Sequence, residues 1–194
     1  MKSLILVGFM GTGKTTVGSM LAKKLQLPMV DLDAVIVQEQ QMTIDEIFAR
    51  DGEASFRQLE HEVLCRYAVQ PDLLISPGGG AVMRVENRAV MRENCIVISL
   101  LARPEVILER VNRDATVRPV LENRPPEQTK LQRIEEVLAQ RMPCYQEADL
   151  ILDTSDQTPE ELVETILAWL TQNRQVDENE YIENITCSAG HTQL

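Results

Sequence analysis

An α/β fold, with a parallel sheet covered by helices on both faces, is predicted by three features of this 194-residue chain. Short apolar runs alternate with longer segments of helical period, as in βαβ units. A glycine-rich loop joins the first apolar run to the first helical segment. Capping sequences at Thr43 and Thr158 mark the starts of two later helices. These features indicate one domain with a full-sized core.

Five apolar runs are the predicted strands. The first, Leu4–Val7, is continuously apolar, as expected for a strand that is buried on both faces. The other four are predicted at residues 28–33, 73–76, 95–101 and 149–152. Between the first two strands, residues 15–26 carry apolar side chains along one side, which predicts a helix. Ligands of open α/β sheets bind outside the carboxyl ends of the strands, so we expect the site there.

The composition restricts the possible partners. The net charge is -11 at pH 7, which disfavours binding to nucleic acid or to an anionic membrane surface. The first apolar run is too short to cross a membrane, and no cleavage signature follows it. The cysteines are widely spaced without a C-x-x-C pair, so we expect reduced thiols and no metal site. The chain is therefore expected to be a cytoplasmic monomer that acts on a small molecule.

The glycine-rich loop is a P-loop. Residues 8–15 read G-F-M-G-T-G-K-T, which matches G-x-x-x-x-G-K-[ST] between a predicted strand and a predicted helix. Glycines let backbone N–H groups converge on phosphates, and the helix N-terminus adds its positive dipole end. The Lys14 ammonium would reach the β- and γ-phosphates, and the Thr15 hydroxyl would ligate Mg²⁺. The predicted cofactors are ATP and Mg²⁺, bound by Gly11, Thr12, Gly13, Lys14, Thr15 and Thr16.

The P-loop by itself does not define the reaction, because kinases, GTPases and motor ATPases share it. No N-K-x-D-type guanine signature follows the fourth predicted strand, which weakens the GTPase interpretation. Asp31 and Asp33 come at the end of the predicted second strand, where a spacing of two residues projects both carboxylates to one side. One could hold a water on Mg²⁺, and the other could accept a proton from an attacking hydroxyl. These residues favour phosphorylation of a hydroxyl on a small metabolite.

Further groups suited to an acceptor follow along the chain. Gly78, Gly79 and Gly80 come directly after the third predicted strand and allow the backbone to approach a ligand closely. The guanidinium of Arg57 has the fork geometry that suits a carboxylate. A cluster of arginines would be a local positive site set against the negative charge of the whole chain.

Six motifs, in chain order, resemble those of the shikimate kinase family over residues 4 to about 170. They are G-F-M-G-T-G-K-T-T, D-L-D, the stretch from Met42 to F-R-x-x-E at Glu60, P-G-G-G, R-P-V-L and R-x-P-x-Y. The resemblance implies a P-loop fold like that of nucleoside monophosphate kinases, with three layers, a five-stranded parallel sheet and a mobile lid. It also implies phosphoryl transfer from ATP to the 3-hydroxyl of shikimate, a step of aromatic amino-acid biosynthesis.

The same resemblance implies residue roles at the ATP side. The residues expected to be catalytic are Lys14, Asp33 and Arg118. Arg118 would contact the ATP phosphates from the lid, and Arg113 and Pro159 would flank the adenine. Asp31 would support Mg²⁺ through a water molecule.

At the acceptor side, the resemblance implies that Asp33 binds the shikimate hydroxyls and can act as a base. Arg57 and Arg141 would clamp the shikimate carboxylate, and Gly79 would present its backbone to the ring. Three apolar residues are similar to the wall of that pocket, although they fit a role in the core nearly as well: Ile44, Phe48 and Phe56.

The expected organisation is one domain over residues 1–170, with a lid at about 112–126, followed by a tail over residues 171–194. The lid is the longest stretch without apolar periodicity, and the tail is polar, acidic and expected to be disordered or loosely docked. Pro77 departs from the family, which often has threonine there, and this leaves the placement of the Ser76 hydroxyl open. Two alternatives to shikimate kinase activity remain from the sequence: a kinase for another small acid such as gluconate, and a non-catalytic protein that retains the fold.

Overall fold

The computed structural model describes residues 2–113, 119–122 and 124–173. Five strands form one sheet: β1 Ser3–Gly8, β2 Met29–Asp31, β3 Leu74–Ser76, β4 Cys95–Leu101 and β5 Leu150–Asp153. Their order across the sheet is β2-β3-β1-β4-β5, and every neighbouring pair is parallel. The predicted α/β class and its five parallel strands are therefore confirmed.

The helices that connect these strands follow the predicted βαβ pattern. They are α1 Lys14–Leu25, α2 Leu32–Gln40, α3 Ile44–Ala68, α4 Val85–Asn94, α5 Pro104–Arg113, α6 Pro119–Glu122 and α7 Lys130–Tyr145. A 3₁₀ turn at Ala81–Met83 precedes α4, and α8 covers residues 159–173. Within the described ranges, no helix is both long enough and apolar enough to cross a membrane.

The core lies on both faces of the sheet. Every side chain of β1, and all but two of β4, are buried. On one face, Ile5 and Val7 of β1 pack with α3, α4, α5 and α7. On the other, Leu4 and Leu6 pack with α1 and α8. Alternating side chains of one buried strand thus pack in two separate clusters, which is why Leu4–Val7 of β1 is apolar without interruption.

The chain reverses its direction of winding at β1, and this creates the site. The strands β3 and β2 lie on one side of β1, and β4 and β5 lie on the other. At such a switch point, the loops after neighbouring strands diverge and leave a crevice at the carboxyl edge of the sheet. The P-loop after β1 and the glycine segment after β3, which is residues 78–80, both line this crevice.

Capping residues begin the helices where the sequence places them. Thr43 accepts a hydrogen bond from the Glu46 N–H, and the Glu46 carboxylate accepts one from the Thr43 N–H, which completes the predicted capping box. Thr158 and Glu161 make the same reciprocal pair at the start of α8. The predicted helix starts at Thr43 and Thr158 are therefore confirmed.

Three expectations need correction. The second strand ends at Asp31 and not at residue 33, because the Asp31 carboxylate caps α2 by accepting a hydrogen bond from the Ala34 N–H at 3.1 Å. Within the expected lid loop, Pro119–Glu122 is helical, and Leu121 is fully buried. The last helix continues to residue 173, past the predicted domain end at 170. Residues 114–118, 123 and 174–194 lie outside the described residues.

Candidate active site

The P-loop backbone adopts conformations that only glycine tolerates well. Gly8, Gly11 and Gly13 have φ values of 147°, 78° and 93°. A Cβ on Gly8 would lie 2.3 Å from the Leu100 carbonyl oxygen of the neighbouring strand. Inside the loop, the buried Thr12 hydroxyl donates a hydrogen bond to the Phe9 carbonyl at 2.8 Å. The loop is therefore held in shape by its own residues.

Lys14, the first residue of α1, crosses the loop. Its ammonium donates hydrogen bonds to the carbonyls of Gly8 at 2.8 Å and Phe9 at 3.0 Å. Thr15 and Thr16 follow in the first turn, and both are exposed to the crevice. Oriented N–H groups at a helix N-terminus and a lysine on a glycine loop are the components of a polyphosphate site.

A single cavity of about 1380 Å³ joins the P-loop to the predicted acceptor residues. All six P-loop residues predicted to bind the cofactor line it. Its other walls include the predicted Asp31, Asp33, Arg57, Gly79, Arg141 and Pro159. Residues from the P-loop, α1, β2, α2, α3, α7 and α8 are thereby brought into one space that is large enough for a nucleotide and a second small molecule.

Asp33 lies in the first turn of α2 and lines the crevice. Burial raises the pKa of its carboxyl group to about 6, and the negative charge of Asp31 adds to this rise. The positive charges of Lys14 and Arg57 oppose the shift. Within the described chain, Asp33 Oδ1 is buried and accepts no hydrogen bond. A carboxylate of raised basicity with an unpaired oxygen is suited to accept a proton from a bound hydroxyl.

Arg57 is held by two acids from its own helix. Its Nη1 donates to Glu60 Oε2 at 2.9 Å, and its Nη2 donates to Glu53 Oε1 at 3.2 Å. Glu60 is only 1% exposed, whereas Glu53 is 68% exposed. The guanidinium lies against Gly80, where a Cβ would come within 2.8 Å of Nη1. Glu60 therefore fixes the orientation of Arg57, and Gly80 leaves room for it.

Arg141, in the last turns of α7, lies beside the P-loop. Its Nη1 donates to the Gly79 carbonyl at 3.1 Å, and its guanidinium lies 5.5 Å from the centre of the Phe9 ring. Gly79 is in turn close to the P-loop, since a Cβ there would lie 3.3 Å from the Gly8 carbonyl oxygen. The predicted pair of Arg57 and Arg141 thus faces one cavity from two different helices.

The three apolar residues expected at the acceptor wall line the cavity and also pack in the core. Ile44, Phe48 and Phe56 line the cavity, and all three pack against the core on the same face of the sheet. The rings of Phe48 and Phe56 are 4.9 Å apart, and the Arg57 guanidinium lies 5.3 Å above the Phe56 ring. This wall therefore gives the arginine an apolar support and excludes water from one side.

The predicted adenine side is different from the expectation in one residue. Pro159 lines the cavity, but Arg113 is 75% exposed, pairs with Glu109 and does not line it. Arg110, one turn earlier in α5, faces the cavity and donates to the carbonyls of Gly11 and Thr154. Because Ile107 and Val111 are the buried positions of α5, Arg110 and not Arg113 is turned inward. Arg118 lies outside the described residues.

Glu60 and Arg110 line the cavity, although the sequence patterns predicted no role for either. Glu60 stands three residues after Arg57 on a helix, a spacing that predicts a contact between the two side chains. Arg110 stands three residues after the apolar Ile107, so the helical period of α5 predicts that both side chains lie on the same face of the helix. Neither pattern shows how deeply the side chain is buried, which depends on the packing of neighbouring helices.

The oxygen groups near the P-loop fit Mg²⁺. Thr15 and Asp31 line the same part of the cavity, and a hydroxyl with a carboxylate is the donor set that this hard cation prefers. Among the described residues, there is no cluster of three or more His, Cys, Asp or Glu side chains that could hold a metal by itself. A magnesium ion here would therefore depend on phosphate oxygens and water for its other ligands.

The fold and cavity define a P-loop kinase for a small molecule. The sequence model of the family described as "Shikimate kinase" matches residues 10–171. The chain is 42% identical to the shikimate kinase of Thermodesulfovibrio yellowstonii over 167 residues, which covers 86% of this chain and 94% of that protein. It is 43% identical to the shikimate kinase of Synechococcus sp. CC9605 over 169 residues, which covers 87% of this chain and 82% of that one.

A solved structure agrees with these sequence relatives. The shikimate kinase from Acinetobacter baumannii, in complex with shikimate, is similar with a TM-score of 0.81 and 33% identity, over 89% of this chain and 94% of that one. The chain therefore belongs to the shikimate kinase family, and ATP-dependent phosphorylation of shikimate is the activity of that family. The predicted family and reaction class are confirmed.

Proposed function

We propose that this chain transfers the γ-phosphoryl group of ATP to the 3-hydroxyl of shikimate, with Mg²⁺ as cofactor, in aromatic amino-acid biosynthesis. The observation that carries this proposal is one cavity that is lined both by the P-loop and by Asp33, Arg57 and Arg141. An anionic, hydroxylated substrate fits the acceptor end, because two guanidinium groups and one basic carboxylate converge there.

The nucleotide is bound by the P-loop backbone and by Lys14. The Lys14 ammonium donates to the Gly8 and Phe9 carbonyls, and these bonds place it above the loop. Phosphate oxygens would compete for this ammonium and stabilise the charge of the transferring group. Thr15 and Asp31 would hold Mg²⁺, which supplies positive charge to the phosphates when it is bound.

The adenine end is formed by α5 and α8 in this proposal. Arg110 connects the P-loop to the segment after β5 through its bonds to Gly11 and Thr154. Pro159 and Gln157 line the cavity beside it. The planar guanidinium of Arg110 is therefore better placed than that of Arg113 to stack against a purine ring.

The shikimate carboxylate would bind between Arg57 and Arg141. Glu60 holds one edge of the Arg57 guanidinium from a buried position, whereas Glu53 holds another edge from the exposed side. A substrate carboxylate can replace the exposed Glu53 at little cost, since exposed ion pairs are weak. The buried Glu60 then keeps the guanidinium oriented while the substrate binds.

Asp33 would accept the proton of the attacking hydroxyl. The 3-hydroxyl oxygen bonds to the γ-phosphorus as the bond to the β-phosphate oxygen breaks, ADP leaves with that electron pair, and the hydroxyl proton passes to the Asp33 carboxylate. The pKa of about 6 leaves this carboxyl ionised at neutral pH but more basic than an exposed aspartate. Little covalent chemistry remains for the protein, so positioning and charge supply most of the rate.

A cytoplasmic, monomeric enzyme is part of this proposal. The free thiols of Cys65, Cys95 and Cys144 support a reducing compartment. The monomeric state is a prediction for measurement in solution. Light scattering across a range of protein concentrations tests this point, and a mass of twice the chain would contradict it.

A coupled ADP-release assay with Mg·ATP tests the reaction, with shikimate, gluconate or no acceptor. We expect release that depends on shikimate, and the variant Lys14→Met should remove it. Lys24→Met, an exposed substitution in the last turn of the same helix, should keep it. Release with gluconate and none with shikimate would contradict the assigned acceptor. The position of the new phosphate, read by ³¹P–¹H NMR of the product, tests the 3-hydroxyl.

A further inference from the structure

Tyr145 is the last residue of α7, and its side chain is among the largest that are fully buried. Its hydroxyl donates a hydrogen bond of 2.8 Å to the Gly79 carbonyl, 66 residues away in sequence. Burial raises the pKa of the phenol, so it remains a protonated donor at neutral pH. A buried tyrosine hydroxyl usually finds a hydrogen-bond partner, and here the partner is the backbone of a residue of the site.

The same Gly79 carbonyl accepts a hydrogen bond from Arg141. The Arg141 Nη1 is 3.1 Å from this oxygen, which therefore has two donors, both from α7. Residues four apart on a helix lie on one face, so Arg141 and Tyr145 reach the carbonyl together. The carbonyl is fixed by a buried, rigid phenol and in turn orients a long and flexible cation.

Two further contacts make the position of Gly79 consequential. A Cβ on Gly79 would lie 3.3 Å from the Gly8 carbonyl oxygen and 3.6 Å from Arg141 Nη1. Gly79 therefore fits between the P-loop and the arginine with no free space. In α7, Pro143 has no N–H, so the helix lacks one backbone hydrogen bond in its last turns. The Tyr145–Gly79 bond ties this weakened end of the helix to the glycine segment.

We propose that Tyr145 is a positioning residue for the acceptor, which acts by fixing the Gly79 carbonyl against which Arg141 is oriented. This proposal rests on the proposed function, because it assigns Arg141 to the shikimate carboxylate. The phenol touches neither substrate; its effect passes through the carbonyl and the guanidinium. Small displacements of a binding group are costly when the bound geometry must be close to that of the reaction.

Tyr145→Phe tests the proposal, because it removes one oxygen atom and keeps the buried ring. The KM for shikimate should rise about 5- to 10-fold, whereas the KM for ATP and kcat should each change less than about 3-fold. The matched control is Tyr67→Phe, which removes the hydroxyl of a tyrosine in α3 that packs against the core away from the cavity. This control should leave all three constants unchanged.

A merely structural tyrosine would behave differently. If Tyr145→Phe lowers the melting temperature and leaves the KM for shikimate unchanged, the proposal is wrong. Leu138→Ala, a buried change in the same helix, provides a variant of reduced stability whose hydroxyl contacts are intact. A rise of the KM for shikimate in Leu138→Ala as large as that in Tyr145→Phe would also overturn the proposal.

A double-mutant cycle tests whether Tyr145 acts through Arg141. Once Arg141→Ala has removed the guanidinium, adding Tyr145→Phe should change the KM for shikimate less than about 2-fold. An equal factor in both backgrounds would show that the hydroxyl acts independently and would refute the proposal. Failure of the proposed function is distinct, since the wild-type chain would then release no ADP in response to shikimate.

Discussion

At the scale of single residues, Asp33 combines a catalytic requirement with a cost to stability. Burial and the charge of Asp31 raise its pKa to about 6, which makes it a better base but disfavours its ionised form in the fold. The cations of Lys14 and Arg57 only partly offset this. Active sites often contain groups of this kind, which are held in an unfavourable state by the surrounding structure.

The pH dependence of the reaction should report this carboxyl group. Because a base must be unprotonated, kcat/KM for shikimate should fall about tenfold per pH unit below pH 6 and level off above it. Asp33→Asn should lower kcat by roughly 10²- to 10⁴-fold and remove that limb of the profile. A wild-type profile with its break near pH 4 would contradict the raised pKa.

The same substitution should stabilise the fold. The folded state binds the Asp33 proton up to about pH 6 and the unfolded chain only up to about pH 3.8, so ionisation weakens the fold as pH rises between these values. Asp33→Asn removes this penalty, and its gain in Tm over the wild type should be larger at pH 8 than at pH 5. Thermal melts at the two pH values check this, and an equal or smaller gain at pH 8 would be inconsistent with it.

Arg57 is expected to act on one substrate only. Arg57→Ala should raise the KM for shikimate by roughly 30- to 1000-fold, because a partly buried cation is lost and Glu60 is left unpaired. The KM for ATP should stay within about 3-fold. Arg50→Ala, which removes an exposed arginine from the same helix, is the matched control. Steady-state kinetics with each substrate varied in turn decide the matter, and a loss confined to ATP would show that the site is assigned wrongly.

At the scale of elements, α3 is interrupted at Gly52. This residue has φ 81° and ψ 169°, far from helical values, so the helix has two segments that meet at an angle. Phe48 lies before the break, and Arg57 and Glu60 lie after it. The break therefore sets how Phe48 is oriented relative to Arg57 and Glu60.

Gly52→Ala tests this geometry. No atom lies within 4 Å of the position of the added Cβ, so the cost comes from the backbone conformation and should be about 1–3 kcal/mol. A shift of Arg57 relative to Phe48 should also raise the KM for shikimate several-fold. Ala49→Gly, at an exposed helical position, should cost about 1 kcal/mol without changing that KM. Urea unfolding and kinetics separate the two effects, and unchanged kinetics in Gly52→Ala would remove the break from the account of the site.

At the scale of the whole molecule, an acidic protein gathers cations around one crevice, where they balance the acids that also line it. The net charge is -11, yet Lys14, Arg57, Arg110 and Arg141 all line the cavity that would hold two anions. The sheet order brings them together, since β1 lies between the strands whose loops and helices carry them. Field strength at the site therefore depends on the fold and not on the overall charge.

The carboxyl-terminal residues should be dispensable for the reaction. The family match ends at residue 171, and among the residues that the structure describes, all that line the cavity are at position 162 or earlier. Deletion of residues 175–194 should therefore leave kcat and both KM values within about 2-fold of the full chain. Kinetics and light scattering of the shortened chain check this. A large change in either would assign residues 175–194 a part in catalysis or assembly.

Much of the fold could be predicted because its signals are local. The P-loop needs glycines at positions of positive φ and a lysine directly after them, and all are consecutive in sequence. The strands are continuous apolar runs, and the capping boxes at Thr43 and Thr158 need residues only three apart. Each signal depends on backbone sterics or on nearest-neighbour hydrogen bonds, which the sequence specifies without reference to the rest of the chain.

The convergence of Asp31 and Asp33 was predicted for the wrong reason. Strand alternation was expected to point both carboxylates to one side, but the Asp31 side chain instead caps the helix in which Asp33 lies. An aspartate that caps a helix and an aspartate that ends a strand cannot be told apart from the sequence alone. Which of the two forms depends on where the neighbouring strand β3 stops pairing, and that is a tertiary contact.

The sequence by itself thus determined the class of fold, the phosphate loop and the set of residues from which the acceptor site is drawn. Only the tertiary structure decided which of them face the cavity. It turned Arg110 inward and left Arg113 exposed, it buried Glu60 behind Arg57, and it placed the Tyr145 hydroxyl on Gly79. The physical reason is that burial and orientation arise from the packing of elements distant in sequence, and no local pattern contains that information.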